Sequence, residues 1–217
     1  GRPAHRPSPP GPRCRPRPAA ATGDASAAGG CAARAAGPQD TRDVSDAASF
    51  RAALGPGGPA AVRLLRDVEL EGAVEVERDL WLLGAAAATA PPTELRIRGG
   101  LRIAGTCCVR AERLTLAAQC SVLGRAELAC ERVRLVAPAP AVLAAEEAAV
   151  ALQQCLVLAQ GRAAMASALR VRGNASLRME GGAVSCLGGV GLHLGGRGAA
   201  ALQGAALLRC GSHGLWL

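Results

Sequence analysis

At 217 residues the chain is long enough for one domain of ordinary size with a sizeable core. Half of its residues are apolar, yet Phe50, Trp81 and Trp216 are the only aromatic ones, so the core must be Leu, Val, Ala and Cys rather than the ring-rich interior of a large globular enzyme. The net charge of +8 is carried by Arg alone, half of it in residues 1–40, and the remaining mixed-sign surface excludes a nucleic-acid-binding face. The absence of Lys and the scarcity of Ile and Asn match a GC-rich codon choice, so an arginine is not by itself a functional signal.

Residues 1–40 are rich in Pro, Arg, Ala and Gly without periodicity, and they cannot bury enough apolar area to offset their ordering entropy, so a disordered tail is expected. No initiator Met and no apolar signal region stand at the start, and Gly214–Leu217 stops inside a strand pattern. The chain is therefore read as a fragment whose domain, 41–217, continues in further coils. Order is expected from about Asp43. Ser45 as N-cap, Asp46 in the first turn and the Phe50/Leu54 spacing predict a helix over about 45–54, which Gly55-Pro56-Gly57-Gly58-Pro59 terminates.

The pattern then changes to short bursts of period two. Val62-Arg-Leu64, Val68-Glu-Leu70, Val74-Glu-Val76 and Leu80-Trp-Leu82 recur every six residues. Leu95-Arg-Ile97, Leu101-Arg-Ile103, Leu114-Thr-Leu116, Val133-Arg-Leu135, Val150-Ala-Leu152 and Leu177-Arg-Met179 follow. Each triplet puts two apolar side chains on one face and the middle residue on the other. Three-residue strands are too short for a sandwich and fit the sides of a coiled solenoid. Leu192-His-Leu-Gly-Gly196 follows Leu169-Arg-Val-Arg-Gly173 by 23 residues, and Gly191-Leu-His-Leu194 returns as Gly214-Leu-Trp-Leu217, a period suited to one β-helix turn.

The segment Thr41–Gly84 (helix, Gly-Pro loop, Ala61-Val-Arg-Leu-Leu-Arg-Asp-Val-Glu-Leu70, Val74-Glu-Val-Glu-Arg-Asp-Leu-Trp-Leu-Leu-Gly84) resembles the opening of pectin-lyase-like right-handed β-helix domains, in which a helix caps the first coil. The resemblance implies an all-β, right-handed parallel β-helix over 41–217. The superfamily includes polysaccharide lyases, hydrolases, adhesins and intracellular adaptors, so it implies fold far more than function.

Material for catalysis is sparse. Glycoside hydrolysis needs two carboxylates at a set separation, and calcium-dependent elimination needs an acidic cluster with an Arg base. No Asp follows Asp79, and Glu71, Glu75, Glu77 and Asp79 read as a solvated acidic face. Arg96-Ile-Arg98 and Gly211-Ser-His-Gly214 only partly match polygalacturonase-like motifs: Lys is missing, Ser212 interrupts the second, and their order is reversed. His213 reads as a turn residue and His193 as an outward strand position. Walker A, nucleophile-elbow and His-Glu-x-x-His motifs are absent, and no Cys-x-x-Cys points to a metal. No cofactor or metal is expected.

The spacing of Cys108, Cys130, Cys155, Cys186 and Cys210 suggests one recurring coil position, and hence a stack of reduced thiols in the interior, with a disulfide involving Cys107 or Cys108 as the alternative. Asn174-Ala-Ser176 is a glycosylation sequon beside a turn at Gly173. The outward Arg96, Arg98, Arg102 and Arg134 with Trp81 form the expected ligand face, because guanidinium groups suit anionic sugars. The reading is a non-catalytic module presenting a sheet face to polysaccharide or protein, with an extracellular or cell-surface location favoured. A polysaccharide lyase or glycosidase, and an intracellular adaptor, are the alternatives. No nucleic-acid partner is expected, and the longest apolar run, Ala137–Leu152, is broken by Glu146 and Glu147, so no membrane span is expected either.

Overall fold

The structure is a computed structural model that describes residues 40–85, 91–161 and 166–217. Among these, alternation sets the inside and outside of every coil: Val68-Glu-Leu70 and Val74-Glu-Val76 bury their flanking residues and expose the glutamate. Each coil contributes one strand to each of three parallel sheets, giving an all-β parallel solenoid of about seven turns. Sheet I holds eight strands (Thr41–Val44, Ala61–Leu64, Leu80–Leu83, Cys108–Glu112, Glu127–Glu131, Ala149–Gln153, Ser176–Glu180, Ala199–Gln203). Sheet II holds seven (Val68–Leu70, Glu94–Ile97, Thr115–Ala117, Arg134–Pro138, Leu156–Gln160, Ala183–Leu187, Ala206–Leu208). Sheet III also holds seven (Val74–Val76, Leu101–Ile103, Cys120–Val122, Val142–Ala144, Ser167–Val171, Val190–Leu194, Leu215–Trp216).

The coil length is not constant. In sheet I, Ala61 is in register with Trp81, then with Arg110, Ala129, Ala151, Arg178 and Ala201, so successive steps are 20, 29, 19, 22, 27 and 23 residues. The 23-residue repeat is the last of these steps, where Leu169 pairs with Leu192 and Leu192 with Leu215. The longest step contains residues 84–93 between sheets I and II, and the next longest contains 161–166 between sheets II and III.

The start of the domain differs from expectation in two respects. Thr41–Val44 is already a sheet I strand, paired with Ala61–Leu64, so the helix α1 (Ala47–Leu54) is an excursion between two rungs. Only Val44 in that strand is buried, which leaves no alternation to reveal it. The N-cap is Asp46, not Ser45: its carboxylate accepts from the Ser49 N–H at 2.8 Å, while the Ser49 hydroxyl accepts from the Asp46 N–H at 3.4 Å. This reciprocal box places a negative charge at the helix N-terminus, which the macrodipole favours. The hydrogen bond from Ser49 holds the Asp46 carboxyl below the ordinary carboxylate range. Phe50 and Ala53 face the core. The expected tail, 1–40, lies outside the described residues apart from Asp40.

Two corners repeat. At the exit from sheet I, Arg113, Arg132 and Gln154 adopt φ of 54°, 54° and 52°, and Gly181 and Gly204 continue the column at 67° and 62°. Each of the first four donates its N–H to the carbonyl that ends the next sheet I strand: Glu131, Gln153, Glu180 and Gln203. Left-handed backbone at Arg and Gln is costly in isolation, and the ladder hydrogen bond holds it.

Candidate ligand-binding surface

Inward strand positions are apolar apart from Ser167, so a ligand would have to be met by the outward ones. The outward column of sheet III runs Glu75, Arg102, Ser121, Leu143, Arg170, His193, Trp216 from coil to coil. Its first two members form an ion pair at 3.2 Å. Its last three stand on consecutive rungs, about 4.8 Å apart. His213 joins them from the preceding loop, its ring 5.2 Å from that of Trp216 in edge-on geometry, and the His193 ring lies 6.4 Å from Trp216.

The local backbone fixes this group. Gly191 N–H donates to the His213 carbonyl and Leu192 N–H to the Gly214 carbonyl, both at 2.9 Å, which pins the loop to the strand Val190–Leu194. Ser212 N–H donates to the Gly189 carbonyl at 3.0 Å, and the Ser212 hydroxyl lies 2.7 Å from His213 Nδ1. From Ser121 onward no sheet III strand contains a carboxylate. Arg170, and Arg172 and Arg197 in the adjoining turns, are without an ion pair among the described residues. A half-buried indole, two imidazoles and guanidinium groups without an ion pair among the described residues suit a ligand with apolar ring faces and negative charge.

The arginines singled out from sequence are distributed differently. Trp81 is on sheet I, Arg96 and Arg134 on sheet II, Arg98 in the turn after sheet II and Arg102 on sheet III, so the structure does not bring the five onto one face. Three of the four arginines are neutralised within the protein. Arg96 meets Glu94 at 2.7 Å, Arg98 meets Glu69 at 2.7 Å and Glu71 at 3.2 Å, and Arg102 meets Glu75. Hydrogen bonds to Glu94 and Glu69 raise the Arg96 and Arg98 guanidinium groups above their ordinary value. Trp81 carries the Arg110 guanidinium 4.9 Å from its ring centre, while its buried indole N–H has no hydrogen-bond partner. Arg134 is exposed and carries no ion pair among the described residues.

The cysteines do not form a single stack. Cys108 is a half-buried outward residue of sheet I and is disulfide-bonded, whereas Cys130 is an inward residue three places along in the adjacent strand's register, beside Ala111 and Leu152. Cys155 occupies the corner before sheet II, Cys186 is beside Ala159 within sheet II, and Cys210 lies in the loop before Trp216. The sequence separations look periodic but do not match the register steps, because coil length varies. Cys107, Cys120, Cys130, Cys155, Cys186 and Cys210 are free thiols. Burial pushes Cys120 up to about 12 and raises Cys130, Cys155, Cys186 and Cys107.

Asn174 is exposed in the turn between sheets III and I, and its backbone N–H donates to the Glu146 carbonyl at 2.6 Å. Among the described residues no cluster of His, Cys, Asp and Glu is placed to hold a metal ion, and no helix is long and apolar enough to cross a membrane. Comparison with protein-family models, with curated proteins and with solved structures finds no match.

Sequence reasoning assigned His193 and His213 to a strand and a turn but did not join them to Arg170 and Trp216. The signal was present: the 23-residue offset that aligns Leu169, Leu192 and Leu215 also aligns their immediate neighbours Arg170, His193 and Trp216.

Proposed function

We propose that the solenoid is a non-catalytic binding module of pectin-lyase-like type that presents sheet III to an anionic glycan. The observation that carries this reading is the column Arg170–His193–Trp216, backed by His213 and free of carboxylates. An extended polysaccharide repeats its charged groups along a line, and a β-helix repeats its outward side chains along a line at the rung spacing. Stacking of a sugar ring on Trp216 supplies apolar contact, and Arg170 supplies bidentate hydrogen bonds to a carboxylate or sulfate. Acids outside the sheet III strands are paired with arginines in the turns from sheet III to sheet I and on sheet I. Arg125 meets Glu147 at 2.6 Å, and Arg178 is paired with Glu180. A binding role needs no free acid, whereas a hydrolase would.

The test is retention on immobilised polygalacturonate against immobilised neutral amylose, with product analysis in parallel. Selective retention on the acidic polymer, lost in Trp216→Ala and Arg170→Ala and accompanied by no new chain ends, is the expected result. Release of reducing ends or unsaturated products would make the protein a depolymerase. Equal behaviour on both polymers would remove the glycan reading.

A further inference from the structure

Sheet II changes character along the solenoid. In the first two coils its outward side is charged, with Glu69, Glu71, Glu94, Arg96 and Arg98 locked in ion pairs. From Thr115–Ala117 onward its strands contain one charged residue, Arg134. The outward column there is Ala117, Val136, Leu158, Ser185 and Leu208, in register on five consecutive rungs. Within it Leu208 is 52% exposed, and beside it Leu156 and Leu187 are 37% and 55% exposed. At the edges Arg113, Arg134 and Arg209 are exposed with no ion pair among the described residues, and no strand of this stretch contains an acid.

We infer that this apolar face is a docking surface for an acidic amphipathic helix of a partner protein. Three outward positions on each of the middle three strands and two on each outer one, over five rungs, give a face of up to about 14 Å by 19 Å, wide enough for one helix with its side chains. The backbone hydrogen bonds of sheet II are used between coils, so the face offers side chains only and cannot extend a partner's sheet. A helix brings its own backbone satisfied and needs only an apolar stripe to bury. Charge selects its flanks: Arg113, Arg134 and Arg209 at the rim, none of them in an ion pair among the described residues, match Glu and Asp on the partner. The same charge disfavours a second copy, because two such faces would oppose their arginines. The face has no aromatic side chain, and Ser185 and Gln160 interrupt it, which disfavours insertion into a lipid interface.

The probe is a labelled synthetic helix of about 18 residues, long enough to be helical in water, with a Leu stripe and Glu on the remaining positions; a second peptide carries Lys in place of Glu. Binding to the full chain is followed by anisotropy. The Glu peptide is expected to bind, with affinity reduced about tenfold or more in Leu187→Glu and in Arg134→Glu, and the Lys peptide is expected to fail. Both positions are exposed, and an unchanged urea midpoint shows that the variants remain folded. Equal binding of the two peptides, binding of neither, or binding insensitive to both variants overturns the inference. It is also overturned if Leu187 instead controls sedimentation with vesicles of phosphatidylcholine and phosphatidylserine, or a concentration-dependent dimer.

Discussion

The first two coils and the last three are built on the same inward pattern but dispose of their charge in opposite ways. In the first two, guanidinium groups cross to the neighbouring rung: Arg98 to Glu69 and Glu71, Arg102 to Glu75. In the last three, Arg178–Glu180 is the ion pair among the described residues, while Arg170, Arg172, Arg197 and Arg209 have no such partner. The backbone ladders join the coils in both regions, so the outward side chains are not needed to hold them together. The early coils use theirs for self-neutralisation, and the late coils leave theirs available. Unpaired charge and uncovered Leu on the same stretch of solenoid are the basis for assigning recognition to its C-terminal half.

The comparison is broken most severely by a core substitution that distinguishes inside from outside. Leu116→Ala, at a fully buried position, is expected to cost about 2–5 kcal/mol. Leu187→Ala, on the uncovered face, should stay within about 0.5 kcal/mol. Urea unfolding of both variants checks this, and similar losses would mean that the late face is structural. Next comes a corner test. A Cβ on Gly182 would sit 2.0 Å from the Cys155 carbonyl oxygen at a φ of +80°, whereas one on Gly204 meets nothing nearer than 4.0 Å. Gly182→Ala should therefore lose clearly more than the roughly 1–2 kcal/mol expected for left-handed strain alone at Gly204→Ala, read from the same unfolding curves.

Alkaline pH separates the regions chemically. The coils from Ala61 to Ile103 contain no cysteine, whereas the middle coils bury Cys120, Cys130 and Cys155. A thiol raised in the folded state contributes stability that is complete below its unfolded value and is lost as pH rises toward the folded one. For Cys120 that window runs from 9.0 to about 12. The urea midpoint should fall across it, and less steeply in Cys120→Ala; a parallel fall would show that other groups are responsible. Asp46 works in the opposite direction. Its lowered carboxyl stabilises above the unfolded carboxylate value and loses that contribution as pH falls through the folded value. Asp46→Ala should lower the urea midpoint at neutral pH, and the difference should vanish in acid. The smallest effect belongs to the exposed ion pairs: Arg98→Ala should shift the midpoint slightly in low salt and not at all in high salt.

Much of the architecture was readable because its signal is local. The triplets at 62, 68, 74 and 80 state directly that three strands occupy one coil, since each apolar–polar–apolar burst is complete in itself. Leu192-His-Leu and Leu215-Trp-Leu state the register of the last two rungs. Strand Thr41–Val44 was missed because one buried valine carries no period. The N-cap was misplaced by one residue because Ser45 and Asp46 are both good caps, and only the geometry of Ser49 chooses between them. The arginine at a left-handed corner, as at Arg113 and Arg132, is invisible in a sequence that marks such corners elsewhere with glycine.

By itself the sequence determined the inward chemistry of each coil: alternation is a property of neighbouring residues, and burial follows from it wherever a strand forms. Tertiary structure alone decided which outward residues stand together. Rung steps of 19 to 29 residues shift every column relative to a constant period, so Cys108 and Cys130 separate while Arg170, His193 and Trp216 align. It also decided which charges were already satisfied, because a guanidinium group on one coil finds its carboxylate on the next, nearly thirty residues away in the case of Arg98 and Glu69.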